Sequence, residues 1–159
     1  MATKKEINSP TADRELVMTR VVNAPRKLVF TVWTDPKHVA KWWGPNGFTN
    51  TIHEMDVRPG GVWRLTMHGP DGVDYPNKII YKEVTKPEQL VWTHGSGDEN
   101  DPGQFEVTVT FAAHGQQTEI TMHMVFKSKE ERDKVVDKYG AIEGNIQTMN
   151  RLEEYLAKL

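Results

Sequence analysis

Between Arg14 and Asn23 the chain alternates. Leu16, Met18, Arg20 and Val22 fall on one side, and Glu15, Val17, Thr19 and Val21 on the other. A period of two with many β-branched residues predicts a strand. Ala24-Pro25 then opens a helix with Leu28, Val29, Val32 and Trp33 as its apolar stripe, since proline suits a first helical position. Asp35-Pro36 repeats the signal, cap carboxylate first, for a short helix carrying Val39, Trp42 and Trp43. Alternation returns over residues 48–57, with His53, Met55 and Val57 sharing one face. It continues over 62–68, where Trp63, Leu65 and Met67 fall together. Short strands follow at 78–84 and 89–94, and then at 104–112 and 117–126, which read as a hairpin with one buried face. Ser128-Lys129-Glu130-Glu131 fits a capping box. From there a single helix is predicted to the end, because Val135, Tyr139, Ile142, Ile146, Met149, Leu152, Leu156 and Leu159 recur at steps of three and four. Gly140 and Gly144 interrupt this stripe at roughly 1 kcal/mol each, so they mark a kink or a place where the helix leaves room.

The order is strand, two helices, about six strands and a long helix. An antiparallel sheet with an apolar face needs a cover, and only the last helix is long enough to supply one. The fold class is therefore α+β. At the junction stands Trp42-Trp43-Gly44-Pro45, two indoles before a Gly-Pro break. One ring must turn inward while the other lies near a surface or a cavity wall. Asp56-Val57-Arg58-Pro59-Gly60-Gly61 reads as a strand end entering a tight turn. The pattern suits enclosure of something apolar.

Composition narrows the setting. With 159 residues, one domain is expected: residues 1–13 as a flexible leader and 14–159 as the folded unit. Twenty basic against 22 acidic residues leave a net charge of −2, which implies no attraction to nucleic acid or anionic lipid. The chain has no cysteine, which removes disulfides and thiolate chemistry. No apolar run approaches the length of a membrane span, and neither a signal-peptide pattern nor a lipidation signal is present. A cytoplasmic location without membrane insertion is expected, and no cofactor is implied.

These strings carry a resemblance. Ala24-Pro25, Val29-Phe30, Trp33-Thr34, Asp35-Pro36, Trp42-Trp43-Gly44-Pro45, Asp56 to Gly61, Pro87 with Leu90-Val91-Trp92-Thr93, and Thr118-Glu119-Ile120 resemble the START-like (SRPBCC) superfamily. Within it, the chain is similar to the group homologous to the activator of the heat-shock chaperone ATPase, over residues 14–158. The resemblance implies a helix-grip fold, a curved antiparallel sheet gripping the long C-terminal helix around a cavity. It implies apolar ligands such as lipids, sterols or polyketides, with cyclase or hydrolase activity in a few members. For the eukaryotic relatives it implies a chaperone partner and a place in the stress response. Relatives commonly carry a Gly-Trp pair in the last helix. Gly144-Asn145 stands there, which implies a roomier or more polar cavity end.

The candidate site residues follow from strand parity and this cavity. Trp43, Met55, Trp63, Met67, Met122 and Met149 are expected as walls, with flexible thioethers suited to an adaptable pocket. His53, Tyr81 and Glu143 are the candidate polar contacts. His53 shares the inward parity of Met55 and Val57. Tyr81 offers a phenolic hydroxyl on a strand whose inward face is open to either reading. Glu143 lies between the two helix glycines and would be a raised-pKa acid if the helix opened there. The six histidines form no HxH or HxxxH pair, so no metal site is expected. The acidic run from Asp98 fails as a calcium loop, with proline at its fifth position and Val109 at its twelfth. No nucleophile elbow, P-loop or dinucleotide fingerprint is present. The leading reading is a non-catalytic, or at most weakly catalytic, binder of a small apolar or amphipathic molecule. The alternatives are a module that regulates a chaperone ATPase and a cyclase or hydrolase acting in the cavity. A homodimer is an open possibility.

Overall fold

Alternation along the chain becomes a single seven-stranded antiparallel sheet, ordered β1-β7-β6-β5-β4-β3-β2. The structure, a computed structural model, describes residues 11–95, 100–138 and 140–159. The strands are β1 (Glu15–Val22), β2 (Thr49–Met55), β3 (Val62–His68), β4 (Asp74–Thr85), β5 (Gln89–Gly95), β6 (Phe105–His114) and β7 (Gln117–Phe126). Strands β2 to β7 pair as successive hairpins, while β1 closes against β7 from Glu15↔Val125 to Val22↔Thr118. The expected leader lies mostly outside the described residues; of its end, Ala12–Arg14 forms a 3-10 turn. Residues 96–99 of the acidic loop also lie outside them.

Two helices fill the connection from β1 to β2. Helix α1 (Arg26–Thr34) follows Pro25 and buries Val29, Phe30, Val32 and Trp33. Helix α2 (Pro36–Trp42) is capped by Asp35, whose carboxylate accepts from the Lys37 amide at 2.9 Å. It stops at Trp43, where the backbone turns extended, and Gly44 follows with φ +96°. That conformation disfavours any residue with a Cβ, and a Cβ there would also meet Met67 Cε at 2.9 Å.

The predicted single C-terminal helix is two helices. Helix α3 (Lys129–Asp137) starts at Ser128, whose hydroxyl accepts from the Glu131 amide at 3.1 Å. Helix α4 (Ala141–Ala157) starts at Gly140, which sits in the left-handed region at φ +61°. The apolar spacing in the sequence runs across this break, but Ile142 and Ile146 of the expected stripe are exposed because the helix restarts at Gly140 with a new direction, and Leu159 is exposed beyond its end. Helix α4 buries Met149, Leu152 and Leu156. Tyr139, part of the predicted stripe, lies outside the described residues.

Two β-bulges reset strand parity. One falls between Ile52 and Glu54, so that Ile52 faces Leu65 and Met55 faces Trp63, with His53 as the extra residue. The other falls between Tyr81 and Glu83, where Tyr81 faces Trp92 and Glu83 faces Val91. The inward set on β4 is therefore Ile79 and Tyr81, with Val84 packed against the core after the bulge. The core between sheet and helices holds all five tryptophans.

Candidate functional site

Indoles fill one end of the space between sheet and helices. Trp33 meets Trp42 at 4.9 Å between ring centroids and Phe111 at 5.6 Å. Trp43 meets Trp63 at 4.9 Å. Most of these pairs are edge-to-face, the arrangement that ring quadrupoles favour. Helix α4 is held over this cluster by Arg151. Its Nη1 donates to the carbonyls of Trp43, Gly44 and Pro45 at 3.2, 2.8 and 2.9 Å. Burial lowers the guanidinium pKa below its ordinary value. The Asn46 amide adds a bond to Gln147 Oε1 at 3.1 Å. The Trp43 carbonyl also accepts from Asn50 Nδ2 at 2.8 Å and the Pro45 carbonyl from the Phe48 amide at 3.2 Å, so Arg151 is the donor that the Gly44 carbonyl depends on.

Towards the start of α4 the packing opens into a cavity of about 190 Å³. Its sheet side is Met67, Trp92, His94, Phe105, Val107, Met122 and Met124. Its helix side is Ala141, Gly144, Asn145, Thr148 and Met149, with Trp43, Gly44 and Pro45 at the junction. The left-handed Gly140 also borders it. Gly144 faces the break, where a Cβ would stand in van der Waals contact with Pro45 Cγ at 3.4 Å. Among the described residues no charged side chain lines the cavity. Asn145 turns its Nδ2 to the Met124 sulfur at 3.9 Å.

His94 is the polar group on the sheet wall. Its ring stacks on Phe105 at 4.9 Å, and its Nε2 lies 2.9 Å from Asn77 Oδ1. The Asn77 amide is oriented by its other end, where Nδ2 donates to the Tyr75 carbonyl at 3.1 Å. Oδ1 is therefore the acceptor and His94 Nε2 carries the proton. Burial lowers the imidazole pKa to about 4, so the ring is neutral at neutral pH.

Of the nine residues expected from sequence, Trp43, Met67, Met122 and Met149 are brought together on the cavity wall. Trp63 and Tyr81 lie one layer away. Both are fully buried, and they stack on each other at 6.5 Å. Among the described residues the Tyr81 hydroxyl and the Trp63 Nε1 have no hydrogen-bond partner. Met55 packs against the core from β2 without reaching the cavity. His53 is exposed on the opposite face of the sheet, bonded to Thr66 Oγ1 at 2.9 Å. The bulge at this residue removes the inward parity expected for it. Glu143 is exposed on α4 and accepts from Gln147 Nε2 at 3.4 Å. His53, Tyr81 and Glu143 therefore do not converge. His94, Trp92 and Phe105 were missed as lining residues. The signal for the first two was strand parity, since Leu90, Trp92 and His94 alternate on one face. Among the described residues no cluster of three or more His, Asp or Glu side chains could hold a metal, and no helix is long and apolar enough to cross a membrane.

Solved structures share this fold. A crystal structure of a Mycobacterium smegmatis protein is 28% identical, with a TM-score of 0.81 over 92% of each chain. One from Nitrosomonas europaea is 26% identical, with a TM-score of 0.81 over 95% of this chain and 99% of that one. A solution structure from Arthrobacter aurescens, 23% identical, superposes with a TM-score of 0.85 over 96% of this chain and 91% of the other. No curated protein matches the chain by sequence. The family model described as Activator of Hsp90 ATPase homolog 1-like protein matches residues 23–157. The double-tryptophan break, the helix laid over a curved sheet and the match along nearly the whole chain agree, and the protein belongs to that family within the START-like fold.

Proposed function

We propose that this protein binds a small apolar or amphipathic molecule between its sheet and helix α4. The observation that carries the reading is the cavity, lined by four methionines and three aromatic rings beside an otherwise close-packed core. A void of this size leaves its lining without contact atoms on one side, so the site gains dispersion when filled. Burying a ligand there would contribute about 25 cal/mol per Å² of apolar area before association costs. Thioethers fit themselves to the occupant at low rotamer cost. The polar candidates for catalysis are scattered, which favours binding over reaction.

The test is native mass spectrometry of the purified protein, with organic extraction of what it retains, on the wild type and on Asn145→Trp. The indole at position 145 would fill the cavity from the helix side. The wild type is expected to retain or take up an apolar molecule, and the folded variant to lose that uptake. A wild type that takes up nothing from a panel of apolar molecules would overturn the reading. It would turn attention to a protein partner of the kind the family description names.

A further inference from the structure

We infer that the cavity selects a small neutral aromatic molecule with one hydrogen-bond donor, a phenol- or indole-sized ring whose O–H or N–H is received by His94 Nδ1. This deepens the binding reading and rests on it.

Size sets the first limit. An engineered apolar cavity of about 150 Å³ holds one benzene. At about 190 Å³ this one, open on one side, matches a substituted ring or a fused pair of small rings, and a sterol or long acyl chain would extend beyond it. The wall sets the second. Trp43, Trp92 and Phe105 offer ring faces and edges, and the methionine sulfurs favour aromatic neighbours. Charge sets the third. With no charged side chain among the described residues of the wall, an ionised ligand would surrender its hydration without replacement there.

The donor follows from the tautomer. Tyr75 orients the Asn77 amide, and Asn77 takes the proton of His94 Nε2. Nδ1 is left with a lone pair. Among the described residues it has no hydrogen-bond partner, and it is not one of the sealed, unpartnered buried atoms. An acceptor fixed in direction on an apolar wall discriminates strongly, because a ligand with no donor leaves it unpaired.

The experiment compares phenol with toluene, and indole with indene, pairs that differ in the donor alone. Affinities are measured by ligand-observed NMR on the wild type and on His94→Phe, which keeps the ring against Phe105. The phenol-to-toluene affinity ratio is expected to fall about fivefold in the variant, the size of one net hydrogen bond. In the wild type, the nitrogen-15 resonance of Nδ1 is expected to move upfield with phenol and stay in place with toluene. That second readout does not depend on the variant folding. If both ligands bind with an unchanged ratio and an unmoved resonance, the donor inference falls while the binding reading stands. If oleate binds and the small rings do not, the size limit falls. If nothing binds, both readings fall.

Discussion

The space under helix α4 has two ends built from different materials. At the Trp33 end, five indoles, Phe111 and Tyr81 pack ring against ring, and Arg151 pins the helix to three carbonyls of the Trp43–Pro45 break. At the Gly140 end, methionines, two helix glycines and Asn145 surround unfilled volume. Rigid rings have few rotamers and hold a shape; thioethers have many and yield. The first end therefore sets where the helix lies, and the second decides what fits beneath it.

The largest effect belongs at the rigid end. Trp33→Ala removes a ring that touches Trp42, Trp43, Trp92 and Phe111. It should cost about 3–5 kcal/mol in urea unfolding. A loss below about 1 kcal/mol would mean that the aromatic cluster is not the anchor of the fold. Arg151→Met should cost about 2 kcal/mol by removing a charged donor from three carbonyls, of which Trp43 and Pro45 keep Asn50 and the Phe48 amide while Gly44 is left unpaired. Hydrogen exchange should then quicken in α4 before it does in the sheet.

His94 gives the contrast a pH dependence. Its folded pKa, about 4, lies below the unfolded value near 6.5. As pH falls through 6.5 the unfolded chain takes up a proton that the folded chain refuses, so stability declines. The decline ends near pH 4, where the folded ring protonates as well. The loss should reach about 2 kcal/mol, less than the whole shift would give because the ring keeps some exposure on the cavity. Unfolding midpoints at pH 7 and pH 4.5 should converge in His94→Phe relative to wild type.

A smaller effect has the opposite sign. Tyr81→Phe deletes a buried hydroxyl that has no partner among the described residues, and whose burial pushes its pKa upward. The variant should be more stable by about 1 kcal/mol, with little change in ligand uptake if the two ends act separately. At the yielding end, Met67→Leu keeps volume and should cost less than about 1.5 kcal/mol. Its consequence should appear in which ring sizes bind, measured with the phenol and indole pairs.

Much of the architecture was legible because apolar periods of two and of about three and a half map directly onto burial. Strands β3, β6 and β7 sit close to where alternation put them, and the Asp35-Pro36 cap sits where its chemistry required. Failures came where one residue broke the count. His53 and the residue after Tyr81 stand at bulges, and a single inserted residue inverts a face without altering composition. The left-handed turn at Gly140 left no mark on the apolar spacing, yet it turns Ile142 and Ile146 out to the surface. In the site, the methionine walls follow from parity. The tautomer of His94 depends on Asn77 and Tyr75, and the bonds of Arg151 end on carbonyls of an irregular loop. Such partners are joined only when the chain is folded.

The tryptophan cluster also has an optical consequence. All five indoles form one connected set with centroid spacings from 4.9 to 6.5 Å, and two of its members, Trp43 and Trp92, border the cavity. At such spacings excitation passes freely from indole to indole. A molecule that quenches Trp43 or Trp92 would dim the emission of the whole set, so the protein carries an unlabelled reporter of whether its cavity is full.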